Sequence, residues 1–422
     1  MRVLFSSTRG AGHVQPLLPY AQVLATRGHE VLITAPAEVA EPLRNTELRF
    51  APFDHPGDET LGPIWARFAS ATQDESMTIA VRDLFVGANA RFALSKLLDT
   101  IKSFRPDLIV RDSIEYGSLI AAETLDVRHV RVAVHSVSFE EEIPALATGP
   151  LDALRRSVGL SPDEAASLTK EAVFSSFPAA LDVVPASSAM QPPFRSRAIE
   201  DPPSTLPATW APEGDPRPLI YVTFGSIVGN IDHIKGIYQT ALDALRDLPV
   251  RALLTTGKTF DVASLGPIPA NVHVEPWVPQ RDVLGRVKGL VCHGGSGTLL
   301  GGLSAGLPMV VVPFGADQPH NGKLVSRAGA GINLDKPDAT ALGAAIMKML
   351  ETPALRVEAQ KLAKEIARMP KIEDAVRVME QMVLAPNSAY FAGSGISLNS
   401  SAEMRRRASK RAPRRATLTQ NQ

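Results

Sequence analysis

The sequence predicts an α/β protein built as two doubly wound, parallel-sheet domains that face each other across a cleft. Three observations carry that expectation. Short apolar runs alternate with amphipathic stretches along nearly the whole chain, the pattern of strand–helix–strand units. At 422 residues the chain exceeds what one hydrophobic core organises. Nine prolines between 185 and 218 (Pro185, Pro192, Pro193, Pro202, Pro203, Pro207, Pro212, Pro216 and Pro218) interrupt the alternation near its middle. Proline fixes φ and biases the preceding residue to extended backbone, so this stretch reads as a stiff connector. The organisation expected is therefore a first domain over 1–190, a linker over 191–217 and a second domain over 218–370. A helix over 371–385 is expected to return to the first domain, and 386–422 to form a disordered tail.

In the first half, Arg2 to Ser6 reads as a strand and Val14 to Arg27 as a helix, with Pro16 in its first turn and Gly28 as its stop. Glu30 to Thr34 is the next strand. Residues 52–90 lack a strand rhythm and read as a long helical insertion. Ala93 to Phe104 is helical, Asp107 to Val110 a strand, Tyr116 to Thr124 a helix, His129 to Val134 a strand. Residues 144–185 add two short helices and two possible strands. The second half repeats the rhythm with strands at Leu219 to Phe224, Arg251 to Thr255, Val272 to Glu275, Gly289 to Cys292 and Met309 to Pro313. Helices fall at His233 to Leu248, Arg281 to Arg286, Leu299 to Ala305, and about 318–328, 338–351, 354–368 and 372–384.

A hydrophobic fraction of 45% with 21% charged residues is that of a globular protein. Net charge is zero but uneven: residues 401–422 hold seven basic side chains against one acidic, +6, leaving −6 elsewhere. That tail could make weak contacts with anionic surfaces; the rest gives no sign of a nucleic-acid partner. A single cysteine excludes an internal disulfide and fits a reducing compartment. The N terminus runs directly into a strand, so no signal peptide is expected. No apolar run reaches the ~18 residues of a membrane span, and the expected location is cytoplasmic.

Two loops concentrate polar chemistry. Cys292-His293-Gly294-Gly295-Ser296-Gly297-Thr298 joins a strand to a helix. A glycine-rich turn there aims unpaired N–H groups and the positive helix end at one point, which suits a phosphate or diphosphate. His293 adds a donor able to take up positive charge. The second loop, Ser6 to His13, follows the first strand; Gly10 and Gly12 begin a dinucleotide fingerprint, but its third glycine is replaced by Gln15, so a nicotinamide cofactor is poorly supported. What stands there instead is His13, which can act as a base if its other nitrogen is held by an acceptor. Asp112, at the same edge of a parallel strand, is the expected holder. No Asp-x-Asp pair and no His/Cys cluster has metal-binding spacing, so no metal and no bound cofactor is expected.

The Gly10-x-Gly12-His13-x-x-Pro16 loop, the Phe224-Gly225-Ser226 turn, Trp277-Val278-Pro279-Gln280 and the run His293 to Gln318 resemble the inverting nucleotide-sugar glycosyltransferases of the GT-B fold. That family includes UDP-glycosyltransferases and bacterial enzymes that decorate macrolides and other natural products. The resemblance covers roughly 1–385 and implies two Rossmann-like domains. It implies that His13 is the general base and Asp112 its orienting partner. Trp277 would stack on the nucleobase beside the Val278 backbone. His293, Gly295, Gly297 and Thr298 would hold the diphosphate with Ser226, and Asp317 and Gln318 would bond the sugar, with Gln280 also on the donor side. The partners implied are a UDP- or dTDP-sugar donor as co-substrate and an apolar small-molecule acceptor. Many UDP-sugar enzymes of the family carry a ribose-clamping glutamate eight residues after the phosphate histidine; here that position is Gly301, which opens the donor to dTDP. Trp65, Phe68, Phe85, Phe92 and Phe139 could wall an acceptor pocket. A nucleotide-sugar 2-epimerase of the same fold and a catalytically silent nucleotide-sugar binding protein remain as alternatives.

Overall fold

The computed structural model describes residues 1–43, 46–197, 210, 214–225, 236–335 and 337–384. Most of the proline-rich linker, Ser226 and the basic tail lie outside the described residues. Among the described residues, thirteen strands form two parallel sheets. The first has seven: β1 (Arg2–Ser6), β2 (Glu30–Pro36), β3 (Arg49–Phe53), β4 (Leu108–Asp112), β5 (His129–Val132), β6 (Val173–Ser175) and β7 (Phe194–Arg195), in the spatial order 3-2-1-4-5-6-7. The second has six: β8 (Leu219–Thr223), β9 (Arg251–Thr255), β10 (Val272–Glu275), β11 (Gly289–Cys292), β12 (Met309–Val311) and β13 (Gly331–Asn333), in the order 10-9-8-11-12-13. Each sheet therefore reverses its winding once, between β1 and β4 and between β8 and β11. Ligands of such sheets bind outside the strand carboxyl ends at that point.

Strand alternation builds a core on each side of each sheet. Leu4, Leu32 and Ile109 face the helices Arg91–Phe104, Tyr116–Thr124 and Ile143–Ser157. Val3, Phe5, Ile33 and Val110 face the opposite way, onto Leu18–Thr26 and the last helix, Ile372–Leu384. That last helix follows the second half in sequence yet buries Ile372, Ala375, Val376, Met379 and Met382 against the first sheet. Burying side chains of this size is worth about 1.5–3 kcal/mol each for the larger ones. Glu380 adds a two-pronged bond to Arg27, at 2.8 Å to both Nε and Nη2, and meets His29 Nε2 at 2.7 Å. In the second sheet Tyr221, Leu253, Leu290 and Met309 fill one side and Ile220, Val222, Leu254 and Val310 the other.

Several elements differ from expectation. The stretch expected as one helix from Val14 breaks into Ala11–Val14, a 3-10 turn over Gln15–Leu17 and Leu18–Thr26, with Pro16 and Pro19 unable to donate to preceding turns. An unexpected edge strand, β3, runs into the start of the 52–90 insertion, which continues with helices Asp58–Ser70 and Gln73–Thr78. It then winds as a π-helix over Ile79–Ala90, a form that concentrates at functional sites. The short β13 was also not expected.

Candidate functional site

The first half builds its share of the site where its winding reverses. His13 stands in the short helix after β1, and Asp112 ends the neighbouring β4. Parallel pairing of Val3 to Ser6 with Leu108 to Arg111 puts both at the carboxyl edge. His13 Nδ1 lies 3.4 Å from Asp112 Oδ2, with the carboxylate fully enclosed. The amides of Thr8 and Ile114 donate to Asp112 at 3.1 and 2.8 Å. Burial by itself pushes this carboxyl up; the facing imidazole and the amide donors of Ile114 and Thr8 outweigh it and hold it below its ordinary value. Asp107, at the other end of β4, instead accepts from the Arg2 amide at 2.7 Å.

The chain after β4 is clamped from within. Arg111 is fully buried, bonds Glu171 through Nε at 3.0 Å, and donates from Nη1 to the carbonyls of Asp112, Ser113 and Glu115 at 3.0–3.2 Å. Burial raises the Glu171 carboxyl, but Arg111 and His129 overcome it and bring it to about 2. One buried ion pair thereby fixes the backbone that carries Asp112; removing one partner of such a pair costs about 3–5 kcal/mol.

The second half places its loops at the equivalent point. β8 runs into Phe224-Gly225, β11 into His293-Gly294-Gly295, and helix Ser296–Ser304 starts immediately after. Gly295 caps that helix without a side-chain bond, leaving first-turn N–H groups facing the opening, and Gly297 is exposed. The His293 imidazole is gripped between two glycines. A Cβ on Gly225, whose φ is +85°, would lie 2.9 Å from His293 Nε2, and one on Gly295 2.4 Å from it. Any side chain at either position would displace the ring.

His293 Nδ1 is buried with no hydrogen-bond partner in the structure. Burial lowers the imidazole to about 4, with Asp317 pulling weakly the other way. The expectation that His293 takes up positive charge is corrected: near neutral pH this ring is an uncharged donor or acceptor, because desolvation outweighs its distant carboxylate.

Asp317 and Gln318 sit at the start of helix Gln318–Arg327, but neither caps it through its side chain. Asp317 Oδ2 accepts from Ser296 Oγ at 2.7 Å and from Asn321 Nδ2 at 2.8 Å. Asn321 is fully buried and also donates to the Gly294 carbonyl at 2.9 Å, so it ties the glycine turn to the Asp317 loop. Gln318 Oε1 accepts from the Phe314 amide at 2.9 Å. Gln280 Nε2 donates to Thr298 Oγ1 at 2.9 Å. Gly301 packs against this pair: a Cβ there would come within 3.0 Å of Leu284 Cδ1 and 3.9 Å of Gln280 Oε1. Val278 is buried, whereas Trp277 is 52% exposed with the Lys258 ammonium 5.0 Å from its ring centre.

The aromatic residues expected around an acceptor separate into groups. Phe85, on the π-helix, approaches His13 with ring centres 6.1 Å apart. Phe139 packs on His135 at 5.2 Å and on His320 of the second half at 5.6 Å. Trp65 and Phe68 pair with each other at 5.7 Å. Phe92 is half exposed and lines an open pocket of about 650 Å³ whose other walls include Arg9, Glu38, Asp54, His55 and Asp58. Sequence reading missed His135, Asn321 and Arg111. A histidine three residues beyond a strand or an asparagine inside a helix carries no local mark of function; the one available signal was that β5 adjoins β4 at the same sheet edge.

Among the described residues no group of three or more His, Cys, Asp or Glu is placed to hold a metal ion, and no helix is long and apolar enough to cross a membrane.

Residues 239–382 match the family described as erythromycin biosynthesis protein CIII-like, C-terminal domain. The chain is 26% identical to 4'-demethylrebeccamycin synthase of Lentzea aerocolonigenes, an alignment covering 90% of this chain and 99% of that one. It is 29% identical to the elloramycin glycosyltransferase of Streptomyces olivaceus over 89% and 95% of the two chains. Among solved structures, the spinosyn rhamnosyltransferase superposes with a TM-score of 0.76 at 24% identity, covering 90% of this chain and all of that one. That enzyme has also been solved with thymidine diphosphate and with spinosyn aglycone.

Proposed function

We propose that this chain, a glycosyltransferase of the GT-B fold with an EryCIII-like C-terminal half, moves a hexose from a dTDP-sugar to a hydroxyl of an apolar natural product, in the cytoplasm, with inversion and without a metal. The observation that supports this best is that the two sheets end in unlike sites at their winding reversals, a histidine on a buried carboxylate and a glycine turn before an uncapped helix start, with Phe139 and Ser138 of the first half touching His320 of the second.

On this reading the acceptor hydroxyl meets His13, which takes its proton while Asp112 steadies the resulting imidazolium. The oxygen attacks the anomeric carbon from the face opposite the diphosphate, so the anomeric centre inverts. Negative charge builds on the departing diphosphate, and the helix N–H groups, the Thr298 hydroxyl and the His293 ring are the donors available to it. Trp277, exposed beside β10, offers a ring face to the base. Ser226 belongs to this donor set by the resemblance and lies outside the described residues. Asp317, held by Ser296 and Asn321, keeps its other oxygen for a sugar hydroxyl, with Gln318 beside it. Phe85 walls the acceptor end near His13.

Deoxyribose is favoured by Gly301. A glutamate there would have to pass Leu284, which already crowds a single added carbon, and the ribose 2′-hydroxyl would find no carboxylate. The spinosyn enzyme solved with thymidine diphosphate agrees with that choice. The test is the rise in melting temperature produced by dTDP, UDP and GDP at equal concentration, since ligands of the native state stabilise it. The expected order places dTDP first; a larger rise with UDP would reject the reading of Gly301. Transfer unaffected by EDTA checks metal independence, and loss of turnover in EDTA would reject it.

A further inference from the structure

β1, β4 and β5 lie side by side, and each delivers a titratable group to the same edge: His13, Asp112 and, three residues past β5, His135. The mechanism above leaves His135 unused. Its ring stands edge-on to His13, centres 6.2 Å apart at 77°, and packs on Phe139, whose own ring meets His320. Ser138 Oγ also lies 3.1 Å from His320 Nε2. His320 lies in the first turn of the helix that begins after Asp317. His135 thus lies in a row that runs from His13 to the Asp317 helix, and on the proposed reading a sugar bonded to Asp317 with its anomeric carbon toward His13 lies along that row.

Behind His135 is Glu140, 1% exposed. Neither of its carboxylate oxygens has a hydrogen bond in the structure. Its neighbours are His135 Nδ1 at 3.7 Å and Arg131 Nε at 3.8 Å, both also without hydrogen bonds. A buried carboxylate left this way is costly and asks for an explanation. A small shift of the His135 ring would make it a hydrogen-bonded anchor, as a similar shift would for Asp112 and His13, whose Nδ1 also lacks a hydrogen bond in the structure.

We propose, on the strength of the donor-site reading, that His135 and Glu140 are a second histidine–carboxylate pair, through which the first half gives a hydrogen bond to the sugar of the donor. Nδ1–H turns onto Glu140, and Nε2 contacts a hydroxyl of the ring opposite Asp317. The electrostatics agree: burial disfavours the imidazolium, but Glu140, Asp317 and Asp112 together raise its pKa above the ordinary histidine value, so the ring is equipped to donate.

Calorimetric titration with two probes, dTDP and dTDP-glucose, separates this role from a structural one. In His135→Ala the affinity for dTDP stays as in wild type while that for dTDP-glucose falls about tenfold, the loss of one good hydrogen bond. His135→Gln, which keeps an N–H donor, recovers most of it, and Glu140→Gln weakens dTDP-glucose alone. Unchanged dTDP-glucose affinity in His135→Ala overturns the proposal, as does an equal loss for both probes. Wild-type protein that binds neither probe overturns the donor-site reading itself, and this inference with it.

Discussion

Both halves of the molecule place a histidine at the carboxyl end of a strand beside the winding reversal, and the two are prepared in opposite ways. His13 follows β1 and has a fully enclosed carboxylate 3.4 Å from its inner nitrogen. His293 follows β11; its inner nitrogen, like that of His13, is buried without a hydrogen bond, and burial lowers the ring to about 4. The first environment sets a buried carboxylate against the ring. The second leaves the ring enclosed and resists a proton. Topology fixes where a ligand can sit, and the neighbours of each imidazole decide what it can do there. On the proposed reading the carboxylate at a strand end serves a base, whereas two glycines and burial leave a neutral hydrogen-bonding ring.

The largest expected effect is in the first half: Asp112→Asn removes the counter-charge but keeps the shape, and turnover should fall on the order of 100-fold with donor affinity unchanged. Turnover within a few-fold of wild type would mean that Asp112 only shapes the loop. Next, Gly295→Ala drives a carbon to within 2.4 Å of the His293 ring; dTDP affinity should drop at least about tenfold, read by calorimetry, while the His13 side keeps its geometry. Retained affinity would show that ring position is unimportant to the diphosphate.

The smallest effect is on stability. With the folded value near 4 below the unfolded value of about 6.5, the folded state binds fewer protons between them. His293's contribution is therefore full above pH 6.5 and is lost as pH falls toward 4. His293→Gln should narrow the difference in melting temperature between pH 7 and pH 5 by a few degrees. An unchanged difference would place the histidine in water rather than in a dry pocket.

Much of this was legible in the sequence because it depends on local pattern. Strands such as Arg251–Thr255 and the helix Tyr116–Thr124 are bounded by turns and show one period each. The His13–Asp112 pair was legible because two parallel strands must end on the same edge. What was not legible depends on neighbours distant in sequence. β3 contains Pro52 and stands at a sheet edge, so its pattern is not that of a buried strand. The three-residue β13 is too short to show a period. The charge state of His293 follows from enclosure by Gly225, 68 residues away, and His135 gains meaning only when Glu140, His13 and the Asp317 helix surround it.

The central claim is tested most directly by crossing the two histidines: turnover with a dTDP-sugar and affinity for dTDP, measured on the same preparations of His13→Ala and His293→Ala. The account predicts that His13→Ala loses at least about 100-fold in turnover and keeps wild-type affinity, while His293→Ala loses affinity for dTDP. Turnover near wild type in His13→Ala, or unchanged dTDP affinity in His293→Ala, would contradict it.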